Sequence, residues 1–303
     1  MAKSSISTMW AIGRFDRAAD FVAAARGIGF DKIELNHQVT DGMLQEYVAL
    51  QSQGKAEISS VHAPCPKWEH RGTEVLPELS TLDEAQRLAA VGIIRRAIDV
   101  AAQLKASAVV VHCGRVEISG DLERALRRLF SKGQAGTEEF RQARTAIQEA
   151  RAARSRPFLE ATIRSLKEVA GYAAARGLKL GLENRYHYHE IPLPEEMQTI
   201  LDNVDRSTVF YWHDVGHAHD LELLGFSKQQ DWLRAFRRHI VGMHLHDAVG
   251  LQDHKVAGAG EIDLAAVRSQ VPEEALRVCE FASPASPEDV EAGYNYLKRL
   301  GFF

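Results

Sequence analysis

Eight short apolar runs rich in β-branched residues alternate along this chain with longer stretches of helical periodicity, and that alternation limits the fold more than any other feature. The expected strands are Ser5 to Ile12, Lys32 to Asn36, Ile58 to His62, Ala108 to Cys113, Lys179 to Asn184, Val209 to Asp214, Ile240 to His246 and Arg277 to Phe281. Amphipathic segments such as Asp16 to Arg26, Asp83 to Leu104, Phe158 to Arg176 and Pro287 to Leu300 lie between or after them, with Gly27, Gly177 and Gly301 where helices would stop. Eight βα units in 303 residues predict an α/β protein, a closed (β/α)8 TIM barrel built as one domain over 1–303. An open doubly wound sheet is disfavoured, because no GxGxxG follows the first strand.

The fourth unit is oversized. Residues 115–156 form an insertion rich in Arg and Ala, predicted as two extra helices joined at Ser131 to Gly136 before the helix that should follow strand four. It reads either as a solvated helical hairpin or as a lid or homodimer arm that brings Arg to an anionic substrate. With 45% hydrophobic and 26% charged residues the chain has material for a large soluble core, and a net charge of −4 provides no general attraction to nucleic acid or an anionic membrane. Cys65, Cys113 and Cys279 show no metal or disulfide spacing, and the N-terminal residues contain no apolar run of membrane length, so a reducing cytoplasm is the expected location.

In a barrel of this kind the chemistry sits at the C-terminal ends of the strands. Strand three ends SVH at His62, strand four VVVH at His112, strand five GLEN at Glu183 and strand six YWHD at Asp214, with His217 three residues on. Strand seven places His244 and His246 on one side by its two-residue period, and strand eight ends at Glu280. Asp247, Asp253 and His254 follow strand seven, and Gly258-Ala259-Gly260-Glu261 turns the chain back. Of 13 histidines only His70 and His239 fall away from strand ends and the loops after them, and none is expected on a helix face. Neutral imidazoles beside carboxylates are a usual ligand set for a divalent ion. Glu183 and Glu280 lie in apolar strand sequence, where a carboxylate is costly unless a cation or hydrogen bonds compensate it. Asn184 and Arg185 would then be supporting or substrate-binding groups, with His246 and Asp247 also facing substrate; His187 and His189 read as lining a polar loop.

In combination, GLEN, HDVGHA, GMHLHDA and GAGEID resemble the xylose isomerase-like TIM-barrel superfamily, which holds sugar isomerases and epimerases together with endonuclease IV-type AP endonucleases. The resemblance covers nearly the whole chain apart from the insertion. For the isomerase branch it implies one divalent ion (Mn, Zn, Mg, Co or Fe) on Glu183, Asp214, His244 and Glu280, with Glu183 and Glu280 exchanging a substrate proton through an enediolate. For the endonuclease branch it implies a longer ligand list, His62, His112, Glu183, Asp214, His217, His244, His254 and Glu280, and a two- or three-metal phosphodiesterase. A further Asp of that list stands two residues before the histidine matched by His254, where this chain has Gln252, with Asp253 displaced by one; LENRYHYHEIP also replaces the NTAGQG-like continuation. A small carbohydrate substrate and one ion, with room for a second, are the expectations; the phosphodiesterase and a non-catalytic carbohydrate- or metal-binding barrel are the alternatives.

Overall fold

The computed structural model describes residues 3–69 and 75–303. Its strands are β1 (Ser4–Ser7), β2 (Lys32–Leu35), β3 (Ile58–His62), β4 (Ala108–Val111), β5 (Lys179–Glu183), β6 (Val209–Asp214), β7 (Ile240–Leu245), β8 (Asp247–Val249), β9 (Gln252–Lys255) and β10 (Leu276–Cys279). Eight of them close a parallel barrel in the order β1-β10-β7-β6-β5-β4-β3-β2, as the alternation requires. The helices outside are α1 (Ala18–Ile28), α2 (Asp41–Ser52), α3 (Glu84–Gln103), α4 (Gly120–Ser131), α5 (Glu138–Ala152), α6 (Ser155–Ala174), α7 (Pro194–Asn203), α8 (Val215–Leu223), α9 (Gln229–Phe236), α10 (Leu264–Arg268) and α11 (Pro287–Arg299).

Packing inside the barrel explains why the ligands gather at one end. Trp212 is fully buried and packs with Ala108, Val110, Val241 and Val278. A Cβ on Gly181 or Gly242, in the strands either side, would run into its indole. The apolar filling occupies one level of the pleat; two residues further along the same strands Val110 gives way to His112, Gly181 to Glu183, Trp212 to Asp214, Gly242 to His244 and Val278 to Glu280. Side-chain alternation therefore lifts the polar groups onto one rim.

Several boundaries differ from the sequence reading. The first strand stops at Ser7, whose hydroxyl accepts from the Met9 amide and turns Thr8–Ala11 into a 3-10 helix; the apolar Met-Trp-Ala run packs there instead of extending the strand, with Trp10 Nε1 donating to the Ala285 carbonyl at 2.9 Å. Helix α1 runs through Gly27 and ends at Gly29, which has φ 121° and lies against the Tyr294 ring. His217 and His219 lie on α8, contrary to the expectation that no histidine occupies a helix; His217 belongs to its first turn, capped by Asp214. His70 is outside the described residues. Residues 247–255, read as loop, pair as the antiparallel hairpin β8-β9.

The insertion forms the two expected helices, which share a small apolar cluster of Leu126, Phe140, Ile147 and Leu224. Two of its arginines that reach the barrel are already engaged there. Arg127 donates to Asp220 at 2.6 Å, and Arg151 grips Glu196 with both terminal nitrogens at 2.7 Å. No helix among the described residues is long and apolar enough to cross a membrane.

Candidate metal centre

Four strand ends deliver one ligand atom each from Glu183, Asp214, His244 and Glu280 to within 4.8 Å of one another. All four side chains are buried, at 1%, 0%, 0% and 2% exposure. His244 Nδ1 lies 2.5 Å from Glu183 Oε1, 3.2 Å from Glu280 Oε2 and 3.5 Å from Asp214 Oδ2. Three carboxylates out of contact with water are costly unless compensated, and here His244, the Arg185 guanidinium on Glu183 and His246 on Asp214 share that task. A divalent ion fits this donor set.

The orientation of His244 comes from a residue absent from the sequence reading. Its Nε2 lies 3.0 Å from Glu34 Oε1 on β2, and Ser60 donates to the other Glu34 oxygen at 2.7 Å. With Nε2–H given to Glu34, a neutral His244 would offer the Nδ1 lone pair to an ion. With carboxylates alone around it, burial pushes the imidazole down, but Glu280 and then Glu34 outweigh burial and hold it well above its usual range. Glu34 could have been found by the argument used for Glu183: it is an acid between the apolar Ile33 and Leu35 of a strand, and it is fully buried. Charges follow this geometry. Burial pushes the Glu183 carboxyl up, but His244 and then the imidazoles of His112 and His62 outweigh it and hold it well below the usual range. For Asp214 burial is outweighed in the same way by His217 and His246.

Two histidine groups flank the four ligands. On one side His62, His112 and Glu183 converge. His62 is buried with no hydrogen-bond partner for either ring nitrogen and sits 3.7 Å from Glu183 Oε2. Into this group reaches Arg185, whose Nη1 lies 2.5 Å from Glu183 Oε2 and 2.6 Å from His112 Nε2. Loss of hydration, and then this guanidinium, push His112 down to about 3. On the other side His217, Asp253 and His254 converge. His217 Nδ1 bonds the Asn184 carbonyl at 3.0 Å and His254 Nδ1 the Glu280 carbonyl at 3.1 Å. Each ring thus directs Nε2 to Asp253 Oδ2, at 3.6 Å in both cases. The one-residue displacement of Asp253 is accommodated by the hairpin, where His254 adopts φ 55°.

Three residues expected to face substrate are engaged in building the rim. Asn184 donates to the Asp214 carbonyl and accepts from Tyr211 and the Asp214 amide. Asp247 accepts from the Ala248, Gly258 and Ile262 amides, and a Cβ on Gly260 would collide with it. His246 accepts the His254 amide at Nδ1 and lies 3.0 Å from Asp214 Oδ1 through Nε2, which orients that carboxylate. Arg185, like His246, is directed at a ligand, in its case Glu183.

The sequence profile of the xylose isomerase-like TIM barrel family matches residues 22–300. The chain belongs to that family. No curated protein matches the chain by sequence. Solved structures similar to it include a D-tagatose 3-epimerase-like protein, with TM-score 0.70, 19% identity and 98% of this chain and 96% of that one covered. A 3-keto-D-glucoside 4-epimerase from E. coli superimposes with TM-score 0.69 at 14% identity, covering 99% and 100%. An L-ribulose 3-epimerase gives TM-score 0.69 at 15% identity, covering 100% and 95%. At these identities the likeness is one of fold.

Proposed function

We propose that this family member is a divalent-metal-dependent sugar or sugar-phosphate isomerase or epimerase. The observation that carries the reading is the buried group of Glu183, Asp214, His244 and Glu280, with His244 oriented by Glu34. An ion held there would supply Lewis-acid chemistry towards the carbonyl and neighbouring hydroxyl of a ketose or aldose. Glu183, held ionised by its neighbours and by the Arg185 guanidinium, removes a proton from the carbon beside the carbonyl. Glu280, from the strand across the barrel mouth, returns a proton to the enediolate; Ser7 Oγ lies 3.4 Å from its Oε1. Arg185 and the imidazole of His62 then face the substrate's oxygens. That the similar folds include sugar 3- and 4-epimerases supports the carbohydrate class.

A second reading rests on a specific observation, the His217, Asp253 and His254 group, which could hold another ion for phosphodiester hydrolysis. The two are separated by incubating the metal-loaded protein with a panel of ketoses in deuterium oxide and, in parallel, with bis(p-nitrophenyl) phosphate. Deuterium incorporated beside the ketose carbonyl, with no nitrophenol released, is the expected result. Nitrophenol release without exchange into any sugar would transfer the site to the hydrolase reading.

A further inference from the structure

A third group of metal-ligating side chains lies away from the barrel mouth, at the seam between the insertion and the rim. Glu123 on α4 sits with one oxygen 2.7 Å from His187 Nδ1 and the other 2.9 Å from His189 Nδ1. The three residues each offer a ligand atom within 4.8 Å of the others. The two imidazoles stack at 5.3 Å between centroids and 25° between planes, so both Nδ1 atoms are aimed at one carboxylate. We propose that Glu123, His187 and His189 form a separate metal site for a borderline divalent cation of the zinc type.

Geometry, ligand chemistry and scaffold each support it. Around a tetrahedral ion with ligands at about 2.1 Å, neighbouring donors lie about 3.4 Å apart, so the two nitrogen-to-oxygen separations seen here, at hydrogen-bond length, need open by only about half an ångström for an ion to replace the shared protons. One carboxylate with two imidazoles is softer than the three carboxylates and one imidazole of the barrel centre, which separates the metals the two sites would select. The loop is shaped without reference to any ion. Tyr188, between the histidines, stacks on Phe226 at 3.9 Å; the His187 amide donates to Glu190 at 2.9 Å; and the Val116 amide donates to the His189 carbonyl at 2.8 Å. Arg127 also donates to Glu123, at 2.9 Å, but its charge is shared with Asp220 at 2.6 Å. An open cavity of about 440 Å³ runs up to both imidazoles between Arg115, Glu117 and Arg124, so an ion can exchange with solvent. A bound ion would join helix α4 to the loop after β5, linking residues 64 and 66 positions apart.

A plain hydrogen-bonded clasp, with both rings donating N–H to Glu123, is the competing account, and ion counting decides between them. Metal-stripped full-length protein is saturated with Zn2+, desalted, and its zinc counted by atomic emission, for the unaltered chain, for His187→Gln/His189→Gln and for His187→Gln alone, each checked for native circular dichroism. Expected is one zinc fewer per chain in the double variant, and at least tenfold weaker uptake of that one ion in the single variant, whatever the barrel centre binds. The same count is measured in Asp214→Asn/His244→Gln, where the difference between histidine-intact and histidine-altered chains must persist. Equal zinc counts in the intact and doubly altered chains, or uptake by the single variant within about threefold of the intact chain's, would overturn the site and leave the clasp. The single variant keeps that outcome readable if the double variant does not fold, because His189 still holds Glu123 in it.

Discussion

The two flanks of the barrel mouth contain nearly the same residue types and are built for different occupants. On the Asp253 flank both histidines bond a backbone carbonyl through Nδ1 and offer Nε2 to a shared carboxylate, an arrangement that presents a ready set of lone pairs. On the His112 flank the corresponding lone pair already meets the Arg185 guanidinium, which also bonds Glu183. A fixed monocation stands where an ion would otherwise sit. The difference teaches that counting imidazoles overstates the number of ions: what each ring's other nitrogen does decides whether it is a ligand. On the proposed reading, any second ion in this centre would belong on the Asp253 flank.

The largest effect tests what both flanks share. Glu280→Gln keeps the oxygen that ligates but cannot take up a proton, so turnover should fall by about 10²–10⁴-fold with the metal retained at reduced affinity. Turnover within a few-fold of the unaltered enzyme would remove Glu280 from proton transfer. Next comes the comparison itself. His254→Gln should weaken uptake of a second ion by more than about 100-fold, exceeding the usual cost of losing an outer-shell partner, whereas His112→Asn should leave the ion count unchanged. Arg185→Leu should raise that count by one, by freeing His112 and Glu183. If His112→Asn loses an ion and Arg185→Leu gains none, the assignment of the flanks is reversed.

Much of this was legible in the sequence, for a physical reason. A strand's two-residue period ties each rim ligand to the apolar residue below it, so Asp214 can be placed from Trp212 and Glu280 from Val278 without coordinates. Glu34 was equally legible and passed over, because its strand shows one acid and no histidine. Contacts made across long sequence separations were not legible. His187 and His189 read as polar loop because their carboxylate partner stands on the insertion, and Asp253 looked out of register because a left-handed backbone at His254 restores it. Nor did the sequence show the partners of Asn184, expected as a supporting or substrate-binding group, whose oxygen accepts the Asp214 amide, or of Asp247, whose oxygen accepts the Ala248 and Ile262 amides.

Glu34 sharpens the comparison from below, since it sets which nitrogen His244 shows the central ion. Glu34→Gln can still accept from His244 through its amide oxygen but carries no charge to favour the polarised ring. Affinity for the first ion should drop by about 10–100-fold, with no change in which flank takes a second. Isothermal titration with Mn2+ reads it directly, and unchanged affinity would mean that His244 needs no such support.

The smallest effect concerns what holds Arg185 on its flank. Its Nε lies 3.3 Å from Glu190 Oε1, and the other Glu190 oxygen accepts the His187 amide at 2.9 Å. Burial pushes this carboxyl up, yet the Arg185 charge and then the amide bring it down to about 2. A folded value below the unfolded one means that the contribution is complete above about pH 4.5 and is lost as the pH falls towards 2. Partial exposure and screening leave it on the order of 1–2 kcal/mol. Urea midpoints at pH 6 and pH 3 should therefore converge in Glu190→Gln more than in the unaltered chain, because the amide has no proton to gain. If the two proteins lose the same stability on acidification, Glu190 does not anchor the guanidinium, and Arg185 is held on the His112 flank by Glu183 alone.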